Sequence, residues 1–328
     1  MHAVAAMGTV VTVQVVGHDE DAARIAERDA AVARAVAWFT SIEACCSRFE
    51  PESELRRVCA QTGVPVTVSP MVFEAVRFAV AVAEETGGAF DPAIGHAMEA
   101  AGFDRHFRRG VATPALSPDP RDDAMHEEPR ASFRDVALDP AHRTITLVRP
   151  LLLDLGAVAK GLAIDMAARE LQPLEHFAIE AGGDLYLAGR NQDGAPWAVG
   201  VRDPHETGRL METLHLSDMA VCTSGAYERP SPSDPGAHHL LDARTQRAAA
   251  ELASATVVAG SAMVADALAT AAFVLGPVDG IALLERSGVD GLLVTPARGR
   301  ITTRRWTTEY HHRHDPGVAG VRPVFPNA

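Results

Sequence analysis

Cysteine is scarce in this chain. Only four stand in 328 residues: Cys45, Cys46, Cys59 and Cys222. Two are adjacent and none forms a C-x-x-C pair, so neither a zinc site nor a disulfide framework is indicated. Positive charge is short as well, with 30 Lys and Arg against 43 Asp and Glu and a formal charge of −13. An acidic chain without a basic stripe argues against nucleic acid as its main partner, and suits a metal ion or a basic partner better. No apolar run reaches the roughly 18 residues of a membrane span. The opening segment, MHAVAAMGTVVTVQVVG, lacks a basic leader and a small-residue cleavage site. It reads as a mature strand and not a signal peptide, which points to a cytoplasmic protein with no membrane anchor. There is no internal repeat.

What is present is enough apolar residue for a real core, 47% of the chain. Residues 10–16 are a β-branched strand, and residues 21–46 a helix with Ile25, Val32, Val36, Phe39 and Ile42 at three- and four-residue steps. Pro51 breaks that helix, and Ser53 is placed to cap a short next one. Ser69-Pro70 opens a helix closed by Gly87-Gly88. The Pro-rich, weakly apolar residues 104–134 read as a surface insert, and residues 136–138 and 144–148 as a hairpin. Short strands are expected at 177–180, 185–188, 197–201, 213–216, 219–222, 255–258, 292–295 and 301–303. Ser261 caps a helix to about residue 275, and a further helix covers 278–286. The tail from 306, with His311, His312 and His314, is expected to be loosely ordered. These elements do not form a βαβ series. At 328 residues the chain could be one large domain or two, and the expectation is α+β with mainly antiparallel sheets.

The chain is organised around residues 152–171, LLDLGAVAKGLAIDMAAREL. An apolar run feeds a glycine turn and then a helix, an arrangement that presents backbone amides to an anion. Asp154 and Lys160 sit in that turn among apolar neighbours. A buried charge is costly without a partner. Either the two pair with each other and shape the turn, or they face a ligand. Elsewhere Phe90 and Asp91 precede Pro92, which holds Asp91 extended. Asp266 and Thr270 are four apart on one helical face of Ala and Met, and are either a tied helix end or half of a hard-metal site. His238-His239 follows a Pro/Ser-rich loop.

In order along the chain stand Met7-Gly8-Thr9, SRFEPESEL from 47, FDPAIG from 90, LDLGAVAKGLAID from 153, AGGDLYLAG from 181, TSGAYER from 223, HLLDART from 239 and ADALATA from 265. Each is weak alone, but the ordered set resembles the ApbE family, flavin transferases that move FMN from FAD onto a protein threonine or serine. Three departures are visible. Ala157 stands where the family usually has a second glycine, Leu162 where an aromatic is common, and the histidine motif runs Leu241-Asp242-Ala243-Arg244-Thr245-Gln246 without the usual proline and glycine.

The resemblance implies a single α+β domain over residues 1–305, its antiparallel sheets flanked by helices, with an FAD cleft between two subregions. It also implies a magnesium ion on the Ala157 carbonyl, the Asp266 carboxylate and Thr270, with Lys160 on the phosphate or adenine side of FAD. Met7, Phe49, Ala89, Phe90 and Asp91 would line the flavin, together with Leu240 and Asp154. His239 would handle the proton of the attacking hydroxyl, with Asp154 and Asp242 as orienting carboxylates. The partners implied are FAD and an acceptor protein carrying a threonine or serine, with AMP released. The alternatives are an FAD pyrophosphatase giving FMN and AMP, and a non-catalytic FAD-binding protein. If residues 240–241 begin a strand, His238 and His239 point to opposite faces, leaving His238 solvated.

Overall fold

The structure, a computed structural model, describes residues 1–17, 21–104, 130–231, 234 and 237–306. Most of the expected insert and the three tail histidines lie outside these residues. In chain order the elements are β1 (His2–Ala6), β2 (Thr9–Val15), α1 (Ala22–Cys46), α2 (Glu54–Cys59), β3 (Val66–Thr67), α3 (Pro70–Glu85), α4 (Gly95–Ala100), β4 (Val136–Asp139) and β5 (Thr144–Leu147). They continue with α5 (Ala159–Leu171), β6 (Phe177–Ala181), β7 (Asp184–Ala188), β8 (Trp197–Arg202), β9 (Leu210–Leu216), β10 (Met219–Gly225), β11 (Leu241–Asp242), β12 (Arg247–Ala248), β13 (Ser254–Ala259), α6 (Ala262–Arg286), β14 (Asp290–Val294) and β15 (Arg300–Thr302).

Eight strands form one sheet in the order β1-β2-β6-β7-β10-β13-β14-β15. Every neighbouring pair in it is antiparallel. The expected α+β class with antiparallel sheets is what forms. Helices α1, α5 and α6 cover one face and bury the larger core, including Phe39, Ile42, Ile164 and Phe273. The β8–β9 hairpin covers the other face around Trp197, Leu214, Val258 and Trp306. Trp306 was expected to begin the tail, yet it is fully buried and donates its indole N–H to Glu212 at 3.1 Å. A lone aromatic among arginines and threonines carries no periodicity that would reveal this.

Local chemistry explains the helix starts. Asp21 caps α1 by accepting from Ala23 N at 2.9 Å, and Ser69 caps α3 ahead of Pro70. Phe133 and the Asp135 turn, at the end of the expected insert, belong to the fold: Phe133 is buried. The opening segment is not one strand but a hairpin. Met7 and Gly8 both have positive φ, 51° and 72°, so the chain reverses between β1 and β2. Methionine is an unusual residue for such a turn, and the continuous apolar pattern hid it. Helix α6 is broken at Gly276, where φ is 80° just before Pro277, which matches the two helices read from the sequence. By length and composition α6 could cross a bilayer, but most of its surface is buried inside the protein.

Two features set the geometry of the site. Gly161 on α5 lies against the start of α6, where an added Cβ would stand 2.5 Å from the Ala262 carbonyl oxygen. Asp165, one helical turn on, accepts from Ser261 Oγ at 2.6 Å, Ala262 N at 2.7 Å and Met263 N at 3.0 Å. Ser261 caps α6 as expected, accepting from Val264 N at 3.3 Å, and α5 adds the Asp165 carboxylate to the same helix start. Strand register brings the Gly182-Gly183 turn, the start of β7 and the end of β10 to one end of the sheet. At that end the Met7-Gly8 turn approaches Gly182, whose added Cβ would meet Thr9 Oγ1 at 2.7 Å.

Candidate active site

At this end of the sheet three charged groups meet. Lys160, in the first turn of α5, places its ammonium against Asp184 and 3.7 Å from Asp266 Oδ2. Asp184 is 1% exposed and Asp266 6%. Asp184 Oδ1 accepts from Thr223 N at 3.2 Å. Asp266 Oδ2 is buried and has no hydrogen-bond partner among the described residues. One turn along α6, Thr270 Oγ1 is 3.0 Å from Ser224 Oγ on β10. The Cys222 thiol below them is pushed well above its ordinary value by burial and then by Asp266, so it stays neutral. A buried carboxylate oxygen without a hydrogen bond among the described residues and a hydroxyl on the same helix face form an oxygen donor set, while Ala157, in the turn before α5, packs against the core. That set fits a hard cation that completes its shell with water and substrate oxygens.

The turn before α5 is built differently from the first alternative drawn from the sequence. Asp154 and Lys160 do not pair with each other. Asp154 Oδ2 accepts from Arg48 Nε at 2.6 Å, and Oδ1 from Gly156 N at 2.7 Å. Burial alone would raise the Asp154 carboxyl, but Arg48 and the Gly156 N–H bring it below the usual carboxylate value. Arg48 is 4% exposed, donates to the Phe103 carbonyl and stacks 4.0 Å from the centre of the Phe49 ring. The expected flavin-side residue Phe49 is therefore held by the same guanidinium that fixes Asp154. Met7 N donates to Glu43 Oε2 at 3.0 Å.

Asp91 is extended as expected, but both its oxygens serve the backbone, accepting from Ala93 N at 2.8 Å and Phe133 N at 3.0 Å. Its carboxylate holds the segment and is not open toward a ligand. Phe90 is buried, and the Ala89 carbonyl accepts from Ala243 N at 3.1 Å, tying this segment to the histidine motif.

The two histidines separate cleanly. His238 is buried, not solvated as its strand position suggested. Its Nδ1 accepts from Leu240 N at 3.2 Å, its Nε2 reaches the Ala249 carbonyl at 2.9 Å, and its ring meets Phe273 edge-on at 5.5 Å. Residues 238–240 do not form a regular strand, so alternation fails there. His239 is held through its backbone N–H to Arg229 O at 3.2 Å, with its ring edge-on to Phe103 at 6.4 Å. Its Nδ1 is buried without a hydrogen-bond partner among the described residues. Burial, reinforced by the charges of Arg229 and Lys160, brings its pKa down to about 3, so the ring is neutral. Asp242 does not orient it: that carboxylate is taken by Arg244, at 2.7 Å from Nη2 and 2.9 Å from the backbone N–H. Leu240 is buried in the main core.

Comparison with known proteins decides what these residues belong to. The sequence model of the ApbE family matches residues 7–293. The chain belongs to the ApbE family. A relative called FAD:protein FMN transferase, from Treponema pallidum, is 35% identical over 295 residues, covering 83% of this chain and 78% of that protein. One of the same name from Vibrio cholerae is 30% identical over 260 residues, covering 76% and 74%. Among solved structures, the ApbE protein of Thermotoga maritima superposes with a TM-score of 0.80 at 27% identity, covering 95% of this chain and 99% of that one. The flavin transferase ApbE from Vibrio cholerae gives a TM-score of 0.76 at 24% identity, covering 93% and 97%, a likeness of fold.

Within this ApbE chain, Arg48, Asp165, Asp184 and Arg229 are site or scaffold residues that reading the sequence did not single out. Asp184 had a usable signal, a carboxylate straight after two glycines at the head of an apolar strand. Arg48, beside an aromatic, and Asp165, on an apolar helix, had weaker ones. Arg229 had none.

Proposed function

We propose that this chain catalyses transfer of FMN from FAD to a threonine or serine hydroxyl of an acceptor protein, releasing AMP, with magnesium bound at Asp266, Thr270 and the Ala157 carbonyl. The observation that carries the reading is two unlike polar atoms, each buried without a hydrogen bond among the described residues. Asp266 Oδ2 and His239 Nδ1 both lie within reach of the charge on Lys160. One suits a cation and the other a proton.

In this reading the acceptor oxygen attacks the phosphorus on the FMN side of the pyrophosphate. A new oxygen–phosphorus bond forms as the bond to the AMP oxygen breaks, and negative charge grows on the phosphoryl oxygens. The ion, when bound, neutralises part of that charge. Lys160 supplies a further positive charge from α5. His239 Nδ1 accepts the hydroxyl proton. Arg229 and burial keep the imidazole uncharged in the free protein. A pyrophosphate beside Arg229 offsets that guanidinium and raises the basicity of the ring when the substrate is in place. Arg48 holds Phe49 and the Asp154 turn in fixed relation, which positions the ring-binding side against the phosphate-binding side.

One incubation tests the reading. The protein is mixed with FAD, magnesium and a candidate acceptor domain and resolved on a denaturing gel. A flavin-fluorescent acceptor band supports transfer. Free FMN with no band supports the pyrophosphatase, and unchanged FAD the binding protein.

A further inference from the structure

Lys160 is the only lysine in the chain, against 29 arginines. It is also the residue set between two buried carboxylates, in contact with Asp184 and 3.7 Å from Asp266. The choice of side chain matters. An arginine fork would lock onto one carboxylate in a bidentate pair, whereas an ammonium is a compact charge that two carboxylates can share. Asp184 cannot move away. It begins β7, is 1% exposed, and its second oxygen is held by Thr223 N. Neither Asp184 Oδ2 nor Asp266 Oδ2 has another hydrogen-bond donor among the described residues, so both oxygens face the same ammonium. That ammonium sits on the Asp184 side, in contact with it, and only adjoins Asp266.

We propose that Asp184 is a positioning residue that holds the ammonium of Lys160 off Asp266, so that the Asp266 carboxylate is free for a divalent cation. This rests on the magnesium site proposed above. Without Asp184, the ammonium has one carboxylate left to pair with, and it competes with the ion for that oxygen. With Asp184 in place, the three groups carry one net negative charge, and a divalent ion turns the cluster to one net positive charge. The loaded cluster thus presents two cations side by side to a pyrophosphate, while the unloaded one keeps a negative charge that attracts the ion. A buried carboxylate pair with no cation would be strongly disfavoured.

The test is magnesium binding, by calorimetry and by NMR of protein carrying ¹³Cε-lysine, in which the single lysine gives a single resonance. In the parent, Mg²⁺ should titrate and move that resonance. Lys160→Met should bind Mg²⁺ more tightly. Asp184→Asn, which keeps an acceptor for Thr223 N, should weaken binding about tenfold, the effect of one charge close to a site. Asp184→Asn in the Lys160→Met background should weaken it much less. Equal losses in both backgrounds would make Asp184 a direct ligand and overturn the proposal. Unchanged or weaker binding in Lys160→Met would overturn it too, even if Asp184→Asn did not fold. If the parent bound no Mg²⁺, the metal reading itself would fail and take this inference with it. If the parent bound Mg²⁺ without coupling between the two positions, only this inference would fall.

Discussion

The Asp165→Ala variant probes the seam on which the whole site is mounted. Asp165 accepts three hydrogen bonds at the start of α6, from the Ser261 hydroxyl and from the Ala262 and Met263 amides. Truncation leaves those two backbone donors without their acceptor in a partly buried position. Ser261 keeps its own cap bond to Val264 N, but a hydrogen bond to a charged group contributes about 1.5–3 kcal/mol and the charge at a helix N-terminus about 0.3–1 kcal/mol. These overlap, so a total of roughly 2–4 kcal/mol is reasonable. For a chain of this size that lowers the melting temperature by about 3–6 °C in differential scanning calorimetry. Asp165→Asn keeps one oxygen acceptor and should fall between the variant and the parent. Lys160 and Asp266 sit on the two helices joined here, so Mg²⁺ affinity should drop even well below the melting temperature. A melting temperature within about 1 °C of the parent, with unchanged Mg²⁺ binding, would show that the cap does not hold the seam.

Other expectations follow from the same geometry. His239→Ala should reduce transfer by about 10²–10⁴ while FAD still binds, whereas His238→Ala, which strips a buried ring of two hydrogen bonds, should lower the melting temperature and leave turnover of the folded fraction near the parent; equal loss of turnover in both would reject the separation. Because His239 titrates at about 3 in the folded protein and near 6.5 when unfolded, the unfolded state takes up the proton first as pH falls between these values. His239→Gln should flatten the decline of melting temperature with acidification in that window, and an unchanged slope would contradict a buried neutral ring. Asp266→Ala should abolish Mg²⁺ binding measured by calorimetry while the circular dichroism spectrum stays that of the parent.

Much of the architecture was legible locally. Helix α1 could be read because Val32, Phe39 and Ile42 keep the helical step and Asp21 caps it, and α3 because Ser69-Pro70 is a start signal with a chemical mechanism. The break at Gly276-Pro277 was readable for the same reason. What stayed hidden depends on strand order. Asp154 finds Arg48, 106 positions away, and Lys160 finds Asp184 only because β7 lies beside β10 under α5 and α6. No local pattern encodes those neighbours. The Met7-Gly8 reversal escaped because its first residue is not a usual turn former, and His238 because alternation was assumed where the backbone is irregular. The motif order pointed to the family, but the partners of its charged residues came from the fold.

The placing of the tryptophans has an optical consequence. Two of the three, Trp197 and Trp306, are sealed in the layer between the main sheet and the β8–β9 hairpin, on the face away from α5 and α6. The third, Trp38, is only partly buried on α1, with its indole N–H on Glu170 of α5. Intrinsic emission therefore watches two places at once. The bulk of the signal reports opening of the hairpin layer, and a minority component reports the helical face that carries Lys160. Unfolding followed by total fluorescence would track the hairpin side, and a Trp38→Phe variant would show how much of any flavin-induced quenching comes from the helical side.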